Sequence, residues 1–121
     1  MNWMMVFIGG GVGSVSRYAI GLLLKQSALS FPWSTLVANV LAAIVIGVLY
    51  FSGFKSRTDA SWLLLATGFC GGLSTFSAFS LETFEFLRDG NLPFAMLNIF
   101  LSLGVCLVII FALSKMVSVQ G

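Results

Sequence analysis

The chain has 121 residues, of which 59% are hydrophobic and 8% charged, and it carries a formal net charge of +2. A soluble domain of this size is about 25% charged, so the composition excludes a water-soluble globular unit and indicates an integral membrane protein of mean hydropathy +1.05. The Lys and Arg residues are scattered, which leaves no basic patch for nucleic acid, and the absence of histidine argues against proton relays and most metal sites.

The length suits a single unit covering residues 1–121. Met1-Asn2-Trp3-Met4 has no basic segment, and no small-residue cleavage site closes the first apolar run, so that run is expected to be a membrane span. About 20 apolar residues cross a bilayer. Four segments qualify: about Trp3 to Leu24, Trp33 to Phe54, Ser61 to Leu87 and Pro93 to Met116. The links are short, at Lys25 to Pro32, Lys55 to Ala60 and Arg88 to Leu92, with Asp89-Gly90 as a turn signal. Short links imply antiparallel neighbours, hence an all-α membrane protein with four transmembrane helices per subunit.

Cations on loops set topology. Lys55, Arg57 and Lys115 fall on one side against Lys25 and Arg88 on the other, and Arg17 near the second side removes the small difference. Such a chain is expected to insert both ways and to form an antiparallel, dual-topology dimer; the other reading is one orientation set by weak cues. Four helices are also too few to enclose a polar path, which favours a dimer independently.

In the first span, Gly9-Gly-Gly-Val-Gly13-Ser-Val-Ser-Arg17-Tyr18 fails as a dinucleotide fingerprint, because Ser14 stands where the third glycine belongs and no strand precedes it. Gly9 and Gly13 instead form a small-xxx-small packing face. Arg17 lies within the span. It either serves a polar path or snorkels to the interface, and in both cases draws anions to one mouth. In the second span, Thr35 and Asn39 share a face; the Asn39 amide either lines a pore or bonds a neighbouring helix.

The third span carries Gly68-Phe-Cys-Gly-Gly-Leu-Ser-Thr-Phe-Ser-Ala-Phe-Ser-Leu-Glu82. Gly71 and Gly72 weaken a helix at membrane depth, where a break is tolerated only if it is buried or lines a watery cavity. The hydroxyls of Ser74, Thr75, Ser77 and Ser80 follow, interleaved with Phe76 and Phe79, which share a face. Aromatic edges are electropositive and suit a small anion. Glu82 is expected at the pore mouth or paired with Arg17, and Glu85 is expected to face Arg88. In the fourth span, Asn98, Ser102 and Cys106 recur on one face as a weakly polar stripe, either pore lining or helix packing. Cys70 and Cys106 lack metal spacing and read as small buried hydrophobes.

These motifs resemble the CrcB/Fluc fluoride channels along nearly the whole chain. Gly9-Gly10-x-x-Gly13-x-x-x-Arg17-Tyr18 and Thr35-Leu-x-x-Asn39 are short, whereas the Gly68 to Glu82 motif is long and specific. The resemblance implies a dimer with two passive, fluoride-selective pathways that let the membrane potential drive fluoride out of the cell. By position, it implies that the rings of Phe76 and Phe79 contact fluoride, that Asn39 hydrogen-bonds along the path, and that Ser77 joins the polar track, with Ser102 a further pathway candidate. Arg17 matches the vestibule cation and Glu82 the acid at the far end. It further implies a central structural Na+ at the dimer axis, held by the Gly71 and Ser74 backbone carbonyls of both subunits.

Three departures stand out: Ala78 replaces a frequent hydroxyl, Asn98 a common tyrosine and Cys106 a frequent serine. A heterodimer with a non-identical subunit is one alternative. A small proton-coupled, dual-topology multidrug exporter is another, but it needs an acid deep in the first span, where this chain has Arg17. A non-transporting scaffold leaves the polar, aromatic third span unexplained. An enzyme is not expected, because no nucleophile–base pair or metal cluster is present.

Overall fold

The computed structural model describes residues 2–24, 33–52 and 59–120, with side chains through Met116. The links expected at Lys25 to Pro32 and from Lys55 onward, and Phe54 at the expected end of the second span, lie largely or wholly outside the described residues. Helix α1 is Asn2–Leu24, α2 is Trp33–Phe51, α3 covers residues 60–73, α4 is Phe76–Arg88 and α5 is Leu92–Gln120. Helices α3 and α4 together form the third span, so the described residues contain four stretches long and apolar enough to cross a membrane. The last of them runs Leu92–Met116, and apart from the end of the second span the helical ends fall close to the expected ones.

The third span is irregular twice. Leu63–Cys70 is wound as a π-helix between α-helical turns at Ala60–Trp62 and Gly71–Leu73. The chain then leaves the helix at Ser74 (φ −78°, ψ 155°) and Thr75 (φ −150°, ψ 117°), both extended, before α4 begins. The interruption therefore falls just after Gly71 and Gly72 rather than on them. Gly71 keeps helical angles of φ −64° and ψ −34°. The hydroxyl residues break the helix because their side chains offer the backbone alternative partners.

The glycines serve close packing instead. Helix α1 lies against α3 with backbone touching backbone. A Cβ on Gly13 would meet the Phe69 carbonyl and come within 2.8 Å of the Leu73 nitrogen, and one on Gly9 would meet the Leu64 carbonyl. Lipid gives apolar helices no hydrophobic reason to associate, so close van der Waals approach between small residues holds this pair. Around it, Ala38, Ala42, Cys70 and Leu73 form a small buried cluster, flanked by Ile20, Val45, Ile46 and Phe69. Both cysteines are free thiols, Cys70 fully buried and Cys106 half-buried.

Helix α4 turns back onto α5 through Asp89, Gly90 and Asn91. Gly90 adopts φ 76°, in the left-handed region that favours glycine. Asn91 accepts a 3.3 Å bond from the Phe94 N–H and so caps α5. Phe86 and Phe94 meet edge to face, with centroids 5.6 Å apart. Arg88 pairs with Asp89 at 3.2 Å rather than with Glu85, because the turn brings the neighbouring carboxylate within reach.

Gly13→Leu is expected to force α1 off α3 and destabilise the subunit by about 3 kcal/mol or more, since backbone cannot yield as a side chain can. Gly71→Leu, where no atom lies within 4 Å of the new Cβ, is expected to leave the subunit folded. Thermal melts and size-exclusion profiles in detergent distinguish them; equal behaviour of the two variants would contradict the packing argument.

Candidate functional site

Breaking a helix strands backbone groups, and their partners define the site. In an unbroken helix the Thr75 N–H would bond the Gly71 carbonyl and the Ala78 N–H the Ser74 carbonyl. Here the Thr75 N–H donates to Asn39 Oδ1 at 2.9 Å, and the Ala78 N–H to Thr75 Oγ1 at 3.1 Å. Thr75 is thus the N-cap of α4. Arg17 Nε donates to the Gly72 carbonyl at 3.3 Å. The Ser74 N–H and hydroxyl both donate to the Cys70 carbonyl, at 2.9 Å and 2.7 Å. The Gly71 and Ser74 carbonyls are left without their usual helical donors.

Beside the break lies a cleft of about 470 Å³ whose lining includes Asn39, Gly71, Ser74, Phe76, Phe79 and Ser102. An N–H can only donate, so the Thr75 bond fixes Asn39 with its oxygen toward the break. The Asn39 NH2 has no partner among the described residues and remains available as a donor. Phe79 is buried, whereas Phe76 is 75% exposed on the isolated subunit. Their centroids lie 5.7 Å apart with planes inclined at 45°. From α5, Ser102 and Cys106 complete the wall, so two members of the weakly polar stripe reach the cleft while Asn98 stays behind it.

A second recess of about 300 Å³ is lined by Arg17, Tyr18, Ser34 and Thr35, with Gly21 and Leu22. Thr35 and Asn39 sit one helical turn apart on α2, so this helix borders both spaces. The Thr35 hydroxyl donates to Glu82 Oε2 at 2.8 Å. Glu82 Oε1 is buried without a hydrogen-bond partner among the described residues. Glu82 therefore pairs with Thr35 and not with Arg17, whose Nε is directed to the break.

Ser77 is brought to neither space. It is exposed, with its hydroxyl 3.2 Å from that of Thr75. Sequence reasoning missed Thr83, which donates to the Phe79 carbonyl at 2.8 Å and accepts from Asn98 Nδ2 at 2.9 Å. The only signal was its position one turn after Phe79, four residues on.

The family profile described as "CrcB-like protein, Camphor Resistance (CrcB)" matches residues 4–113. A Pyrococcus furiosus protein named "Fluoride-specific ion channel FluC" is 46% identical over 110 residues, which cover 88% of this chain and 88% of that protein. Proteins of the same name from Escherichia coli strain K12 and Serratia proteamaculans are 44% identical over 101 residues and 45% over 106. These alignments cover 81% of this chain and 79% of the first relative, and 85% of this chain and 83% of the second. Matches of this extent and identity establish that the chain belongs to the CrcB family.

Proposed function

We propose that the chain is a subunit of a passive, fluoride-selective channel that exports fluoride and lowers its cytoplasmic concentration. The observation that carries this reading is the cleft at the helix break, where a free amide donor, a hydroxyl and two phenylalanine rings meet, in a chain closely similar to proteins named as fluoride-specific channels. Fluoride is small and strongly hydrated. A path for it must replace water with N–H, O–H and electropositive ring edges, and without a fixed positive charge strong enough to trap it.

Each residue then has a role. Arg17 raises the local anion concentration in its recess, although its Nε is partly engaged by Gly72. Asn39 Nδ2 and the ring edges of Phe76 and Phe79 substitute for hydration in the cleft, with Ser102 on the opposite wall. Glu82, held by Thr35, marks the end of the path on α4, and Ser77 extends the polar track beyond the cleft. No covalent or energy-coupled step is needed, because the membrane potential drives an anion outward. The functional reading is therefore a channel and not an enzyme.

The assembly proposed is an antiparallel, dual-topology homodimer in the cell membrane. The cleft is open on the isolated subunit and Phe76 is 75% exposed there, so a second copy would close the wall. Gly71 and Ser74 fit a central Na+: both carbonyls have lost their helical donors, Gly71 faces open space, and carbonyl oxygens are hard ligands suited to an alkali cation. When bound, Na+ would supply a fixed positive charge and join the two subunits.

Liposomes holding only this chain, under a potassium-driven voltage, are expected to lose fluoride and retain chloride; retention of both anions by folded dimer would overturn the homodimeric channel. Phe76→Ile and Phe79→Ile are each expected to slow fluoride loss about tenfold or more through loss of the ring edge. Asn39→Asp keeps an acceptor for Thr75 but places a like charge on the path. Two like charges about 4 Å apart at an effective dielectric of about 20 repel by about 4 kcal/mol. Slowing of at least about 100-fold is therefore expected, and wild-type rates in these variants would remove the residues from the path. Replacing sodium by N-methylglucamine is expected to lower the melting temperature of the dimer, with recovery that depends on sodium concentration; an unchanged melt would argue against the cation site.

A further inference from the structure

Asn98 is the most enclosed polar side chain among the described residues, with 1% of its surface exposed. It does not line the cleft, and its contacts form a directional chain. The Phe79 carbonyl can only accept, so the Thr83 proton points to it across 2.8 Å. With that proton committed, Thr83 Oγ1 can only accept, and it does so from Asn98 Nδ2 at 2.9 Å. Asn98 must then turn Oδ1 to its other neighbour, Ser102, whose hydroxyl donates across 3.5 Å. The polarity of every link follows from the carbonyl at one end.

The two ends of this chain are the two walls of the cleft, Phe79 on α4 and Ser102 on α5. We infer that Asn98 and Thr83 are positioning residues that hold Phe79 and Ser102 in register across the anion path. The inference rests on the proposed conduction through that cleft. The inner links are short and enclosed, so the Phe79 turn is tied to α5. The outer link lies beyond the usual O–H···O range of about 2.5–3.0 Å. It is the weak link, and it leaves the Ser102 proton free to turn from Asn98 to an anion in the cleft. Simple helix gluing does not require this arrangement, since hydrogen bonds between membrane helices add little over good packing. An apolar side chain of similar volume at position 98 would fill the space but sever both walls from each other.

The test is fluoride efflux from liposomes by wild type, Thr83→Val, Thr83→Ser, Asn98→Leu and the double variant Thr83→Val/Asn98→Leu. Phe79→Ile serves as the path control, and melts and size-exclusion profiles are recorded for each. Thr83→Val and Asn98→Leu are each expected to slow fluoride loss about tenfold, the scale of one lost hydrogen bond at a buried polar group. Thr83→Ser, which keeps the hydroxyl, is expected to retain the wild-type rate. The double variant is expected to be no slower than the slower single variant, because Asn98 acts on Phe79 through Thr83. Wild-type efflux in Thr83→Val and Asn98→Leu, alongside a slowed Phe79→Ile, overturns the positioning role and leaves conduction through the cleft standing. Equal losses in Thr83→Ser and Thr83→Val, or additive losses in the double variant, also overturn it. Absence of efflux from wild type overturns the conduction reading itself, and the positioning role with it. Asn98→Leu that fails to fold leaves the decision to the Thr83→Val and Thr83→Ser pair, whose shapes are close to the original.

Discussion

Everything at the centre of this protein depends on one constraint: a helix is interrupted at a depth where lipid cannot hydrogen-bond to its backbone. Each unsatisfied group there would cost several kcal/mol, so Ser74 and Thr75 adopt extended angles only because other residues take up what the break releases. Asn39 receives the Thr75 N–H, Thr75 itself receives the Ala78 N–H, and Arg17 donates to the Gly72 carbonyl. The same exchanges give the chain its polar features. Asn39 must turn its oxygen to the break, which leaves its NH2 for the cleft, and the carbonyls of Gly71 and Ser74 lose the helical N–H donors that now bond elsewhere.

Around that break, two kinds of packing divide the work. Helix α1 meets α3 through glycines so closely that side chains are excluded at the crossing, with the Arg17 bond to the Gly72 carbonyl as a polar contact between them. Helix α4 meets α5 through Thr83, Asn98 and a pair of edge-to-face rings, which makes a wall whose position is set by hydrogen-bond direction. The first arrangement fixes where the broken span sits. The second links the Phe79 turn of α4 to Asn98 and Ser102 on α5.

The distribution of charge follows the same logic. Arg17 and Glu82 have different hydrogen-bond partners: one is engaged by the broken backbone and the other by Thr35. A direct ion pair would have cancelled both fields. Kept apart, the cation lines a recess with Tyr18, Ser34 and Thr35, and the carboxylate is held by the Thr35 hydroxyl.

Much of this was legible in the residues. The four spans, their short links and the interrupted third helix follow from apolar run length and from two adjacent glycines at membrane depth, because in lipid the backbone dictates which structures survive. That Asn39 shares a face with Thr35, and Ser102 with Asn98 and Cys106, was readable from helical spacing; whether those faces meet a cleft or another helix was not. The position of the break was not: Gly71 and Gly72 suggested it, yet they pack or face open space while Ser74 and Thr75 carry it, since glycine permits a break but a competing hydrogen bond makes one. Nor were the partners of Glu82, Arg88 and Thr83 readable, because a side chain's partner depends on which helix is brought beside it. The membrane class, the helices and the inventory of polar groups are thus written into the order of the residues. Which of those groups face one another depends on how the helices pack, because hydrogen bonds act over about 3 Å and spacing along a helix says nothing of the distance to the next one.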